Sequence, residues 1–218
     1  MKTLKKTLCL VLVFAMMLSV CVFGSAAAYK DEDTIKSQYK EAVAVLTGLD
    51  IFHGYTDGNF KPQNTYNRAE AATIIVNMLG LGDIMSASTA TFKDVKADDW
   101  FYPAITWCAR EGVIYGYGSD IFGPGDLLTR EQMVTILHQY AKYKETSLRS
   151  DADMSRFTDT DDISAWAVDN MRWAVTNGLL SGSSKELRPK DIVTRAELAS
   201  ALYSYTLNTE LSGKPLLP

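Results

Sequence analysis

One phrase occurs three times in this chain, and it constrains the architecture before any propensity argument does. Gly54-Tyr-Thr-Asp57-Gly58-Asn-Phe60-Lys-Pro62 leads to Asn67-Arg68-Ala-Glu70. Gly116-Tyr-Gly-Ser-Asp-Ile-Phe122-Gly-Pro124 leads to Thr129-Arg130-Glu-Gln132. Gly182-Ser-Ser-Lys-Glu-Leu187-Arg-Pro189 leads to Thr194-Arg195-Ala-Glu197. Proline precedes arginine by six residues each time, and the arginines fall 62 and 65 positions apart. Self-similarity at such a period is the mark of an array of small units that bury their apolar faces only together.

Each unit opens on an aromatic-x-Asp: Tyr29-Lys-Asp31, Phe92-Lys-Asp94 and Phe157-Thr-Asp159. Helical spacing follows, with Val43 and Leu46, with Ile105, Cys108 and Ala109, and with Met171, Ala174 and Val175. Gly112 and Gly178 suit the C-terminal end of that helix, where Asp50 stands in the first unit. A Gly-rich loop runs to the proline. Asn67, Thr129 and Thr194 are then N-caps, and Glu70, Gln132 and Glu197 three residues later complete a capping box. Apolar stripes at Ala72-Ile75-Val76-Leu79, Met133-Ile136-Leu137-Tyr140 and Leu198-Ala201-Leu202-Tyr205 continue the second helix. The chain therefore reads as three helix-loop-helix repeats, 29–81, 92–142 and 157–206, joined by irregular linkers and followed by a loose tail, 207–218. All-α architecture is expected, with three lobes sharing one core; a flat solenoid is the alternative.

Residues 1–28 read as a signal peptide. Lys2, Lys5 and Lys6 precede an apolar run, Leu8 to Phe23, and Ala26-Ala27-Ala28 is a small-residue cleavage site. That run of sixteen residues falls short of the roughly 20 that span a bilayer, and no other stretch is long and apolar enough, so no membrane span is expected after cleavage. The lipidation-like Leu18-Ser19-Val20-Cys21 fits poorly, because valine precedes the cysteine. Removing the three signal lysines takes the net charge from −4 to −7. An acidic chain has no broad field for polyanions, which argues against nucleic acid as a partner. Cys108 is the one cysteine beyond the signal, so no intrachain disulfide is expected.

The ordered set of aromatic-x-Asp, Trp, helix, Gly-Tyr-x-Asp-Gly-x-Phe-x-Pro and Thr-Arg-Ala-Glu resembles the S-layer homology (SLH) family. The resemblance covers the whole chain beyond the signal apart from linkers and tail. It implies a compact three-lobed pseudo-trimer. It further implies a non-catalytic cell-surface anchor that binds secondary cell-wall polysaccharide, often pyruvylated, in grooves between lobes. Secretion to the cell wall or surface layer goes with it, and other surface-layer proteins are further candidate partners.

On this resemblance the anion contacts are Arg68, Arg130 and Arg195. Physically, arginine's planar fork suits a pyruvyl carboxylate, and free N–H groups in the first helical turn would assist. Trp100 and Trp166 align; they either line a groove as sugar platforms or pack in the core, and Gln38 replaces them in the first repeat. Trp107 and Trp173 read as lobe packing. Gly54, Gly116 and Gly182 allow turns and close backbone approach. In the third loop Ser183-Ser184-Lys185 replaces Tyr-x-Asp-Gly, so that groove differs and Lys185 adds charge.

No catalysis and no cofactor are expected. Asp98, Asp99, Asp161 and Asp162 cluster at helix starts, where carboxylates favour the dipole. His53 and His138 are isolated, so neither a metal site nor a triad is expected. The alternative function is a calcium-dependent or protein-partner interaction module. Asp57-Gly58-Asn59 and Asp159-Thr-Asp161-Asp162 offer oxygen ligands, but neither matches the full twelve-residue calcium loop.

Overall fold

The computed structural model describes residues 29–81, 92–146, 149–180 and 185–211. The signal peptide, Gly182, most of the first linker and the end of the tail lie outside the described residues. Among the described residues six α-helices carry the fold: α1 (Ser37–Gly48), α2 (Arg68–Met78), α3 (Tyr102–Arg110), α4 (Arg130–Tyr143), α5 (Val168–Thr176) and α6 (Arg195–Leu211). Among the described residues no strand forms, only isolated β-bridges.

The second helix of each repeat begins where the capping pattern places it. Asn67 Oδ1 accepts from the Glu70 N–H at 2.8 Å, and Glu70 Oε2 accepts from the Asn67 N–H at 2.8 Å. Thr129 with Gln132, and Thr194 with Glu197, repeat the exchange. The first helices end on a left-handed residue, at Asp50 (φ 60°), Gly112 (φ 70°) and Gly178 (φ 66°). Asp50 thus takes the conformation its glycine counterparts take; aspartate tolerates it better than most side chains. α6 runs to Leu211, four residues beyond the expected start of the tail. The second linker is tied down, because Asp151 and Ala152 donate backbone N–H groups to the Thr176 hydroxyl.

Helix pairs form between repeats rather than within them. α2 packs against α3, α4 against α5, and α6 returns to pack against α1. Each first helix is thus covered by the second helix of the preceding repeat, and the third repeat closes the ring on the first. α2, α4 and α6 meet in the middle, where Ile74, Ile75, Met133, Ile136, Leu198 and Leu202 surround an apolar void of about 10 Å³. A void that small and apolar holds no well-bonded water. Trp107 and Trp173 are buried, as expected of lobe packing. His138 stacks on Trp173 at 4.6 Å and bonds Asn170.

Candidate functional site at the repeat seams

The three loops hold one residue each at the bottom of the structure's three seams: Phe60, Phe122 and Leu187, all fully or almost fully buried. Burying a side chain of this size stabilises by about 1.5–3 kcal/mol. The backbone that carries each anchor is clamped by the aspartate that opens the same repeat. Asp31 accepts from the Phe60 and Lys61 N–H groups at 2.7 and 2.8 Å. Asp94 accepts from Phe122 and Gly123 at 2.9 and 2.7 Å. Asp159 accepts from Leu187 and Arg188 at 2.9 and 2.6 Å. Burial alone would raise the Asp94 carboxyl, but these backbone donors and the charge of Arg68 hold it below its ordinary value.

The repeated arginines enter the same seams from the neighbouring repeat. Arg68 Nε donates to the Phe122 carbonyl at 3.0 Å, Arg130 Nε to Leu187 at 2.9 Å, and Arg195 Nε to Phe60 at 2.8 Å. Each seam therefore contains one peptide plane with its carbonyl on an arginine and its N–H on an aspartate. Arg68, the Phe122–Gly123 peptide and Asp94 form one such relay. Arg130 with Asp159, and Arg195 with Asp31, form the others. A cation and an anion at opposite ends of one peptide polarise it and strengthen both bonds.

These arginines are neither exposed nor idle. They retain 4, 5 and 5 % of their accessible surface. Arg68 Nη2 donates to the Tyr115 carbonyl at 2.6 Å, and its guanidinium lies 4.4 Å from the Tyr117 ring centre. Arg195 donates Nη1 to the Tyr66 hydroxyl at 2.6 Å and Nη2 to the His53 carbonyl at 2.8 Å, under the Tyr55 ring. Arg130 Nη1 pairs with Glu197 at 3.2 Å. Desolvation pulls the proton affinity of Arg68 and Arg130 down, yet a guanidinium stays protonated in a protein.

The expectation of free N–H groups at the helix starts is corrected by the structure. In α2, Arg68 N–H donates to Asp126 O, Ala69 to Pro124 O, Glu70 to the Asn67 side chain and Ala71 to Asn67 O. Pro189 O and Pro62 O take the second N–H of α4 and α6 in the same way. The recurring proline thus has a physical role. The proline carbonyl of one repeat satisfies the helix start of the preceding one, so nothing in that turn is left for a ligand.

Gly54 and Gly116 serve close approach rather than positive φ. A Cβ on Gly54 would lie 2.4 Å from the Tyr29 ring, and one on Gly116 2.6 Å from both the Phe92 ring and Ile121 O. In the first two repeats the opening aromatic thus packs against the loop glycine. Trp100 and Trp166 are 66 and 55 % exposed, which removes the core-packing reading and leaves their faces available. Among the described residues no three His, Cys, Asp or Glu side chains gather at metal-binding distance. Asp57 is engaged by Lys61 and the Asn59 N–H, which hold its carboxyl down at about 2.

The clamping role of Asp31, Asp94 and Asp159 was missed in reading the sequence, although their recurrence in register was the available signal. Also missed was a polar group peculiar to one seam. Glu131 stands where the other repeats have Ala69 and Ala196, and it accepts from the Ser164 N–H, the Ser164 hydroxyl and Lys190.

Comparison with known proteins agrees with this architecture. The model of the S-layer homology domain matches residues 28–72, 91–134 and 156–199. The chain is 35% identical over 188 residues to the surface-layer 125 kDa protein of Lysinibacillus sphaericus, covering 84% of this chain and 15% of that protein. It is 32% identical over 167 residues to the cellulosome-anchoring protein of Acetivibrio thermocellus, covering 75% and 36% respectively. It is also 33% identical over 169 residues to exoglucanase XynX of the same organism, covering 75% of this chain but 15% of the enzyme. The chain thus spans a minor part of each relative, and the match to the enzyme is to its SLH part. No helix among the described residues is long and apolar enough to cross a membrane. The matches support a cell-surface, surface-layer-associated location and an anchoring role. With three matched repeats closing a ring of shared seams, this chain belongs to the S-layer homology domain family.

Proposed function

We propose that the protein is a non-catalytic anchor that attaches to secondary cell-wall polysaccharide, with pyruvylated residues as the recognised groups. The observation that carries the reading is the seam itself. A cation, Arg68, Arg130 or Arg195, lies beneath a loop with a glycine at its entry, and Trp100 and Trp166 expose flat faces on the same chain. Buried cations discriminate carboxylates more sharply than exposed ones, because solvent screens them less. Exposed indole faces suit the apolar faces of sugar rings. Gly54, Gly116 and, by its place in the repeated motif, Gly182 open the three loops and complete the proposed ligand-binding set. Several contacts along one chain of repeating sugars would raise avidity without a new type of contact. The anchoring named for the cellulosome relative and the surface-layer place named for the other are consistent with this role.

The test is a pull-down on purified cell-wall sacculi before and after chemical extraction of the secondary polysaccharide. Retention that disappears on extraction is expected. Equal retention on extracted walls, or none on either preparation, would overturn the reading in favour of a protein partner.

A further inference from the structure

Trp100 and Trp166 occupy equivalent places, but the chain holds them by different means. Trp100 is braced by the next residue, Phe101, whose ring meets it edge-on at 5.3 Å. Trp166 is followed by Ala167 and meets no aromatic ring among the described residues. It sits in a single 3₁₀ turn, Ala165–Ala167, directly before α5.

Two side chains of α4 reach across to the two ends of that turn. Glu131 is buried and accepts from the Ser164 N–H at 3.0 Å and the Ser164 hydroxyl at 2.9 Å. Lys190 donates to the same carboxylate at 2.7 Å and supplies the opposite charge, as a buried carboxylate requires. Two helical turns further along the same face, His138 stacks on Trp173 and meets the Asn170 side chain at 2.8 Å. Asn170 Nδ2 donates to the Trp166 carbonyl at 3.2 Å, which turns Oδ1 toward His138 and makes Nδ1–H the donor there. The residues before and after Trp166 are thus tied to α4 through side chains.

The equivalent contact between α2 and α3 is made without any of this. Ala69, Val76 and Ala104 stand where Glu131, His138 and Asn170 stand, and none carries a polar side-chain atom. The helix pair forms in both places, so the fold itself does not require the polar version. Burying polar groups costs free energy unless each is matched, and here they are matched to the one turn that presents Trp166.

We infer that Glu131 and His138 are positioning residues for Trp166: from α4 they fix the turn that offers the indole to the polymer, so that its place is set before binding. This rests on the polysaccharide reading above and deepens it. A platform set in advance does not have to be ordered by its ligand.

A double-mutant cycle on the intact protein tests the inference, with half-saturation of purified cell-wall sacculi as the binding readout. Glu131→Ala and His138→Val, each copying the first repeat, are expected to weaken binding about two- to tenfold, the usual cost of ordering one side chain. In a Trp166→Ala background neither is expected to weaken it further, because both act through the indole. Backbone ¹⁵N relaxation is expected to show the Trp166 amide more mobile in both variants and the Trp100 amide unchanged. Thermal unfolding checks that the variants fold, and Asn170→Ala cuts the His138 tie from its other end if one does not. Equal losses with and without Trp166 would reveal a merely structural role and overturn the inference. An unchanged Trp166 amide, or parent-like binding by Trp166→Ala, would overturn it as well. Those outcomes leave the anchoring reading standing, whereas a parent protein that sacculi do not retain would remove that reading and this inference with it.

Discussion

Arg195 Nε donates to the carbonyl of Phe60 at 2.8 Å across 135 positions of sequence. That bond ties the last repeat to the first. Its counterparts at Phe122 and Leu187 tie the other two seams, and the three together make the array a closed ring. A ring has no terminal repeat to fray, so the seams share the load of holding the fold. The same arginines are offered as ligand contacts, and the two roles must be separated by experiment.

Arg195→Ala is expected to destabilise the protein by about 3–5 kcal/mol, the usual loss when one member of a buried charged network is deleted. It strips hydrogen bonds from Phe60 O, His53 O and Tyr66 Oη at once. Arg195→Lys should recover little of this, because a point ammonium cannot reproduce the fork. Denaturant midpoints measure both losses. Wall binding lost in such a variant speaks for a ligand contact only if the variant is still folded.

Gly54→Ala and Gly116→Ala are expected to cost about 1–3 kcal/mol each, the range for overpacking a filled site. Both new methyls would land inside contact distance of an aromatic ring, Tyr29 or Phe92. Gly125→Ala is the control, since a Cβ there meets nothing within 4 Å and its φ is not positive. It should be neutral or stabilise by about 0.4–1 kcal/mol by restricting the unfolded chain. Thermal unfolding of the three variants side by side decides this, and equal midpoints would refute the close-approach account.

Much of the fold was legible in the sequence. The capping boxes at Asn67, Thr129 and Thr194 named the helix starts, and the stripe ending in Tyr205 marked a core helix. Which helices pair was not legible, because periodicity shows that a face is apolar and not which neighbour covers it. The arginines illustrate the same limit. Their recurrence identified the seam, but a motif after a helix cap looks alike whether its guanidinium faces solvent or the next repeat's carbonyls. The aspartates of the opening motifs were visible and left without a role, since their partners lie 28 to 30 positions away in the loops.

Acid should loosen the seams in a defined order of causes. The Asp94 and Glu197 carboxyls are both held below their ordinary values: burial opposes ionisation, but backbone donors and a neighbouring arginine outweigh it. A carboxyl whose folded pKa is depressed contributes stability above its unfolded value, about 3.9 for Asp and 4.3 for Glu. That contribution is lost as pH falls through the lower folded value. The stability gap between the parent and Asp94→Asn should therefore be largest at neutral pH and shrink below about pH 4. Urea titrations at intervals from neutral pH to about pH 2 read the gap directly. A gap independent of pH would show that the Asp94 charge is not what holds the second loop.

Two tyrosines that meet edge-to-face in the core, Tyr140 and Tyr205 at 5.6 Å, should respond oppositely to loss of their hydroxyls. Burial raises the proton affinity of both, with Tyr205 pushed up to about 12. Tyr205 Oη shares a 2.9 Å hydrogen bond with the Thr146 hydroxyl, on the linker that follows α4. Tyr140 Oη is buried and has no hydrogen-bond partner among the described residues. Removing a bonded hydroxyl costs about 0.5–1.5 kcal/mol, whereas removing an orphaned one relieves a desolvation penalty. Tyr140→Phe should therefore be neutral or stabilising by up to about 1 kcal/mol, and Tyr205→Phe destabilising by a similar amount. The ring contacts survive in both variants, so the comparison isolates the hydroxyl. Midpoints in the reverse order would mean that the Thr146–Tyr205 bond contributes nothing and that the linker is held by its other contacts, among them those to Thr176 and Asn177.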